Sequence, residues 1–275
     1  MKKLIFAISA LAITTASASA ADMAIKAPPP PVVVDSWTGF YAGINGGGIW
    51  GRDRLTAAPA DPGTTAFWAG CFAAGACPRD YGRNNGSSGE AGGQIGYNWQ
   101  RGSAVFGFES DIQWTDVKSN TSVSLPNTGT GFVPYTGTES SKLEWFGTTR
   151  GRLGFLAAPN VLLYGTAGVA YGEVQRSWTA TFAATGQNVV GTSTDTRVGW
   201  VAGAGVEWKW QRNWIFGVEY LHMELDSMSF GATGVGSPGC TAVNCNFNVS
   251  SNGFKSDIVR ARVSYQFGGP VVARY

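Results

Sequence analysis

Ten charged residues recur at even spacing inside otherwise apolar stretches: Glu109 and Asp111, Glu144, Arg150 and Arg152, Glu207 and Lys209, Glu219, and Arg260 and Arg262. Residues two apart in an extended chain share a face, so each group points away from its apolar neighbours and toward one space. Five of the ten are acidic and five basic. A lone charge taken out of water is costly, whereas a balanced set can pair. The leading expectation is therefore a structural ion-pair network. A lining for small polar solutes, or a gate, is the alternative. Counting along the strands puts Glu109 near the depth of Arg150, and Glu219 near that of Arg262.

Other candidate chemistry is sparser. Gly46-Gly-Gly48-Ile-Trp-Gly51 has dinucleotide-loop spacing, but no helix follows it. His222 stands in His222-Met223-Glu224, without the serine two residues on that a strand-borne, His-activated nucleophile requires. It is expected at an outer interface, near lipid head groups. No catalytic residue, metal or cofactor is expected. Cys71 with Cys77, and Cys240 with Cys245, form two close pairs in Gly-rich segments. Outside the reducing cytosol they read as two short-range disulfides. A four-Cys zinc site would require two separate loops to converge.

The N-terminus points to export. Lys2-Lys3 is a basic start, Leu4 to Ile13 an apolar stretch, and Ala18-Ser19-Ala20 a small-residue cleavage site. Removing residues 1–20 takes away two lysines and no acid, leaving 18 basic against 18 acidic residues. That balance gives no electrostatic case for nucleic acid. Residues 21–36 form a Pro-rich leader, expected in the periplasm.

Eight strands are predicted near 37–50, 90–100, 103–115, 142–156, 161–175, 197–210, 214–226 and 256–267. The second places Ala91, Gly93, Ile95, Tyr97 and Trp99 on one face. The fourth sets Leu143, Trp145, Leu153 and Phe155 against Glu144, Arg150 and Arg152. The fifth is apolar on both sides, and its faces stay unassigned. Short turns lie at Arg101-Gly102, Ala158-Pro159-Asn160 and Gln211-Arg212-Asn213. Long connections near 51–89, 116–141, 176–196 and 227–255 are rich in Gly, Ser, Thr and Asn. With 39 glycines and 13% aromatic residues, this asymmetry fits an all-β, eight-stranded antiparallel transmembrane β-barrel with four long extracellular loops. The barrel spans 37–267, and 268–275 form a C-terminal tail. The lipid-facing alternation Val263, Tyr265, Phe267 marks Phe267 as the end of the assembly strand. Tyr275, in step with Val271 and Ala273, competes for that role.

Four segments carry a family resemblance: Trp37-Thr-Gly-Phe-Tyr-Ala-Gly43, Gly203-Ala-Gly-Val-Glu207, Trp214…Glu219-Tyr-Leu221, and Val259-Arg-Ala-Arg-Val-Ser-Tyr-Gln-Phe267. The chain resembles the small porin-like surface antigens of proteobacterial outer membranes, with an OmpA-like eight-stranded domain. The resemblance implies a structural, surface-exposed outer-membrane protein without enzymatic activity. Expected partners are outer-membrane lipid and lipopolysaccharide, the barrel assembly machinery, and host or cell-surface ligands at the loops. A narrow porin passing small polar solutes is the second functional expectation.

Overall fold

Period-two alternation does not stop where the predicted strands end; only the chemistry of its outer face changes. The computed structural model describes residues 33–34, 36–73, 80–125, 135–183, 186–234, 245–267 and 271–272. The signal at 1–20, most of the Pro-rich leader, Cys77, Cys240 and most of the tail lie outside the described residues.

In chain order the elements are β1 (Val33–Val34), β2 (Gly39–Pro59), α1 (Pro62–Ala73), β3 (Asp80–Arg101), β4 (Ala104–Leu125), β5 (Tyr135–Ala158), β6 (Val161–Phe182) and β7 (Gln187–Trp210). They continue with β8 (Trp214–Leu225), β9 (Met228–Gly234), β10 (Cys245–Ser251), β11 (Phe254–Gln266) and β12 (Val271–Val272). β2 to β7 pair antiparallel in sequence order. β8 and β9 together make the seventh stave, and β10 and β11 the eighth. β11 pairs with β2 from Lys255↔Arg52 to Gln266↔Tyr41, and β10 continues the same ladder to Phe247↔Pro59. Eight staves thus form a ring. A strand-built wall in hydrocarbon must close in this way, because lipid offers no partner for backbone N–H or C=O.

One stretch of the wall lacks a ladder. β7 pairs with β8 up to Gly199↔Leu225 and with β9 only at Val189↔Gly234 and Val190↔Thr233. Residues 191–197 therefore carry ladder partners on the β6 side alone, and just below them Asp226 N–H donates to Val198 O at 3.0 Å. At the other extreme, β1 and β12 form a two-residue ladder, Val33↔Val272 and Val34↔Val271, joining the leader to the tail.

Strand length is the main departure from expectation. β5 and β7 run 24 residues and β3, β4 and β6 run 22, about twice the 9–11 residues that cross a bilayer as a tilted strand. Most of the predicted long loops are strand. Apart from Val190 of β7, the large exposed apolar side chains occupy the lower halves: Phe40, Ile44 and Trp50 on β2, Phe106, Phe108, Ile112 and Trp114 on β4, Leu153 and Phe155 on β5, Val198 to Trp208 on β7. Above Trp50 and Trp114 the outer face becomes polar, as in Ser122, Ser124 and Thr138, while the inner face stays buried. Thr and Ser suit a pleated surface facing water, which is why a lipid-facing pattern disappears there without the strand ending.

Inward side chains form layers. From the short-turn end come Trp37, Val105, Leu162 and Ile215, then charged residues, then an apolar layer that includes Ile49, Leu143, Phe146, Leu221, Phe254 and Ile258. The upper core gathers Leu55, Tyr81, Trp178, Phe182, Phe230 and Phe247. α1 lies across this end. Asp61 caps it, its Oδ1 accepting Thr64 N–H at 2.8 Å, with Pro62 in the first turn, where its missing N–H costs nothing. Trp68 of α1 packs edge-on against Phe247, ring centroids 5.4 Å apart.

Candidate functional site: the charged lumen

β4, β5, β8 and β11 each place charge at one level because their registers align: Glu109↔Arg150, Gly107↔Arg152 and Arg260↔Glu219 are direct cross-strand partners. Eight of the ten candidate residues meet there, Glu109, Asp111, Glu207 and Glu219 with Arg150, Arg152, Arg260 and Arg262. Their side chains are 0–3% exposed. Arg150 reaches Glu109 at 2.5 Å, Asp111 at 2.7 Å and Glu219 at 3.0 Å. Arg260 holds Glu219 through Nε at 2.9 Å and Asp111 through Nη2 at 2.8 Å. Arg262 bonds Glu109 and also donates to Glu219 at 3.2 Å. Arg152 lies 3.2 Å from Glu109 and 2.8 Å from Glu207, the latter an ion pair by distance without hydrogen-bond alignment. Shared carboxylates and forked guanidiniums bind every member to several others, which offsets desolvation far better than isolated pairs do.

Two candidates stand elsewhere. Lys209 sits at the short-turn end, donating to Ser36 O at 2.7 Å and Gln266 Oε1 at 2.6 Å, with Nζ 4.6 Å from the Trp37 ring centre. Glu144 is a correction: it is not in the lumen. The β5–β6 register jumps between Leu143 and Trp145, so Glu144 is the extra residue of a bulge. Leu143 turns inward, and Glu144 pairs with Lys142 on the outer wall. The sequence assignment of Leu143 as outward fails for the same reason. β6, unassigned from sequence, faces inward at Leu162, Tyr164, Thr166, Ala170, Val174, Arg176 and Trp178.

Two tyrosines complete the network. Tyr41 OH donates to Glu109 at 2.7 Å and accepts from Arg152 at 2.7 Å. Tyr164 OH donates to Glu219 at 2.9 Å, and the Arg152 guanidinium lies 4.0 Å from its ring centre. Both rings need glycine opposite: a Cβ on Gly96 would fall 2.4 Å from Tyr41, and one on Gly205 2.5 Å from Tyr164. The pairing of inward Tyr with facing Gly was the available signal. Just above, Glu90 and Gln113 are buried with no side-chain hydrogen bond among the described residues.

A second, smaller cluster lies in the projecting half. Asp53 pairs with Arg176 at 2.9 Å and accepts from Ser251 at 2.8 Å and Ser141 at 3.0 Å. Glu139 is buried beside them. Burial pushes its carboxyl up to about 7, with Asp53 adding repulsion; burial also lowers the Arg176 value. None of these was read from sequence, because their segments were assigned to loops.

The remaining candidates lie outside the lumen or outside the described residues. Tyr265 and Phe267 are exposed on the apolar band and Val263 half-buried there; Phe267 packs on Phe40, and its N–H donates to Phe40 O at 2.7 Å. His222 is on the outer wall, its ring 5.4 Å from Trp200 and Nδ1 2.8 Å from Asp257. Cys245 is buried at the start of β10 and is not a free thiol. The Cys71 side chain, Cys77 and Cys240 lie outside the described residues.

An antiparallel ring of eight staves, apolar outside over a membrane's thickness and charged inside, defines an outer-membrane β-barrel. The chain belongs to the family described as outer membrane protein beta-barrel domain, which matches residues 8–267. It is 34% identical to the 31 kDa outer-membrane immunogenic protein of Brucella melitensis over 237 residues, covering 82% of this chain and 88% of that one. It is 32% identical to a 22 kDa outer membrane protein of Rhizobium leguminosarum over 180 residues, covering 63% and 71%. Among solved structures, OprG of Pseudomonas aeruginosa aligns with a TM-score of 0.41 and 13% identity, over 84% of this chain and 97% of that one. The protein resides in the outer membrane.

Proposed function

We propose that this protein is a non-catalytic structural and surface protein of the outer membrane, its lumen sealed by ion pairs and its upper half a stiff projection available to partners. The observation that carries this reading is the network of four guanidiniums and four carboxylates, 0–3% exposed, crossing the lumen at membrane depth. In planar bilayers the purified barrel should give little steady conductance. Large, stable open-channel currents would overturn the sealed lumen.

A narrow porin for small polar solutes is the second reading, favoured by Glu90 and Gln113, whose buried polar atoms lack side-chain partners beside the network. The proposal includes cleavage after Ala20, disulfides Cys71–Cys77 and Cys240–Cys245, and assembly through Val263, Tyr265 and Phe267.

A further inference from the structure

On the outer wall, two pairs of like charges face each other directly across strands. Arg54 of β2 is opposite Arg83 of β3, and Arg52 of β2 is opposite Lys255 of β11. Like charges directly opposite destabilise a sheet. Three acids offset part of this: Asp257 lies 2.6 Å from Arg52, Asp80 3.4 Å from Arg54, and Glu224 2.8 Å from Lys255. Asp257 also accepts from Tyr220 at 2.7 Å and contacts His222, which fixes the carboxylate that orients Arg52. Arg83 forms no ion pair among the described residues. All four basic residues line one surface cavity of about 430 Å³, together with His222, Asn252, Gly253 and Asp53, whose carboxylate is taken up by Arg176.

Height identifies what belongs there. Trp50, Trp200 and Tyr220 are about half exposed and form the upper aromatic edge of the apolar band. A strand advances about 3.3 Å per residue, so Arg52 lies about 7 Å and Arg54 about 13 Å beyond Trp50 along the stave. Tilted staves shorten those distances in height. The polar layer on one side of a bilayer is roughly 5–8 Å thick. The cluster therefore stands at and just above the lipid head groups. Guanidinium forks match phosphate oxygens two at a time.

We propose that Arg52, Arg54, Arg83 and Lys255 form a binding site for the phosphate groups of an outer-leaflet lipid, whose acyl chains run down the wall past Trp50. The site rests on the outer-membrane placement and is independent of whether the lumen conducts. It converts two repulsive pairs into a phosphate clamp and ties β3, β2 and β11 together at the membrane surface.

The test uses the full barrel in detergent micelles, its folding checked by gel mobility before and after boiling. Binding of bisphosphorylated lipid A is read by native mass spectrometry. R54Q/R83Q should bind at least about tenfold more weakly, the order expected for losing charge-assisted bonds. Dephosphorylated lipid A should show the same drop on the native protein. K118Q, which removes an exposed charge on β4 beyond Trp114, should bind as the native protein does. Equal binding by R54Q/R83Q, equal binding of the dephosphorylated lipid, or an equal loss in K118Q would each overturn the site. Complete competition by millimolar inorganic phosphate would assign it to free phosphate, overturning the lipid.

Discussion

The two halves of this lumen solve the burial of charge differently. In the membrane half, four arginines meet four carboxylates, and each arginine of the set contacts at least two acids. In the projecting half, two carboxylates share one arginine: Asp53 takes the ion pair, and Glu139 is left with a raised pKa. Aromatic and aliphatic layers fill the rest of that half. Stoichiometry separates the two. In the matched set every carboxylate is shared by at least two arginines, so each loss strands several buried charges at once; Glu90, buried just above, bonds to none of them. An acid-rich set keeps one member easily protonated, its pKa raised to about 7, and so carries a substitute.

The largest effect should follow from breaking the matched set. Glu109→Ala removes the carboxylate that Arg150, Arg152 and Arg262 share and to which Tyr41 donates, and should destabilise the barrel by about 3–5 kcal/mol. Guanidinium unfolding of refolded protein in micelles measures it. Asp53→Ala should cost less, about 2–3 kcal/mol, because Glu139 can ionise toward Arg176 in its place. Equal losses in the two variants would erase the distinction between the halves.

Glu139→Gln sharpens the comparison through pH. Folding raises this carboxyl to about 7, so the fold favours its protonated form. That contribution is intact below the ordinary Glu value of about 4.3 and is lost as pH rises through the folded value. The glutamine variant keeps a neutral side chain throughout. It should match the native protein near about pH 4 and exceed it by about 1–3 kcal/mol near pH 8. Unfolding midpoints of the two proteins across that range check the sign. A native protein more stable at high pH than the variant would show Glu139 ionised and paired.

Legibility followed the solvent. Arg150, Arg152, Arg260 and Arg262 were readable because Leu153, Phe155, Val259 and Tyr265 mark the lipid side of their strands. Above Trp50 and Trp114 the outer face is polar or charged, so Asp53, Glu139 and Arg176 had no apolar counterpoint and were assigned to loops. Glu144 followed the alternation in sequence, but nothing in Leu143-Glu144-Trp145-Phe146 announces the inserted residue that reverses it. Tyr41 and Tyr164 were passed over because aromatic residues were weighed as interface anchors. Only the facing Gly96 and Gly205 distinguish them as lumen residues.

The unladdered run 191–197 of β7, just above Val198, has a consequence for how the molecule yields. Thr192, Thr194, Asp195 and Thr196 are all exposed there and Ser193 and Arg197 only half-buried, so this strand has no ladder on its β9 side and little burial to hold it. Local opening draws on the segments with the fewest such restraints. Amide deuteration should therefore begin along this line while the membrane half stays protected. The wall has a preferred tear line, and it lies wholly outside the bilayer.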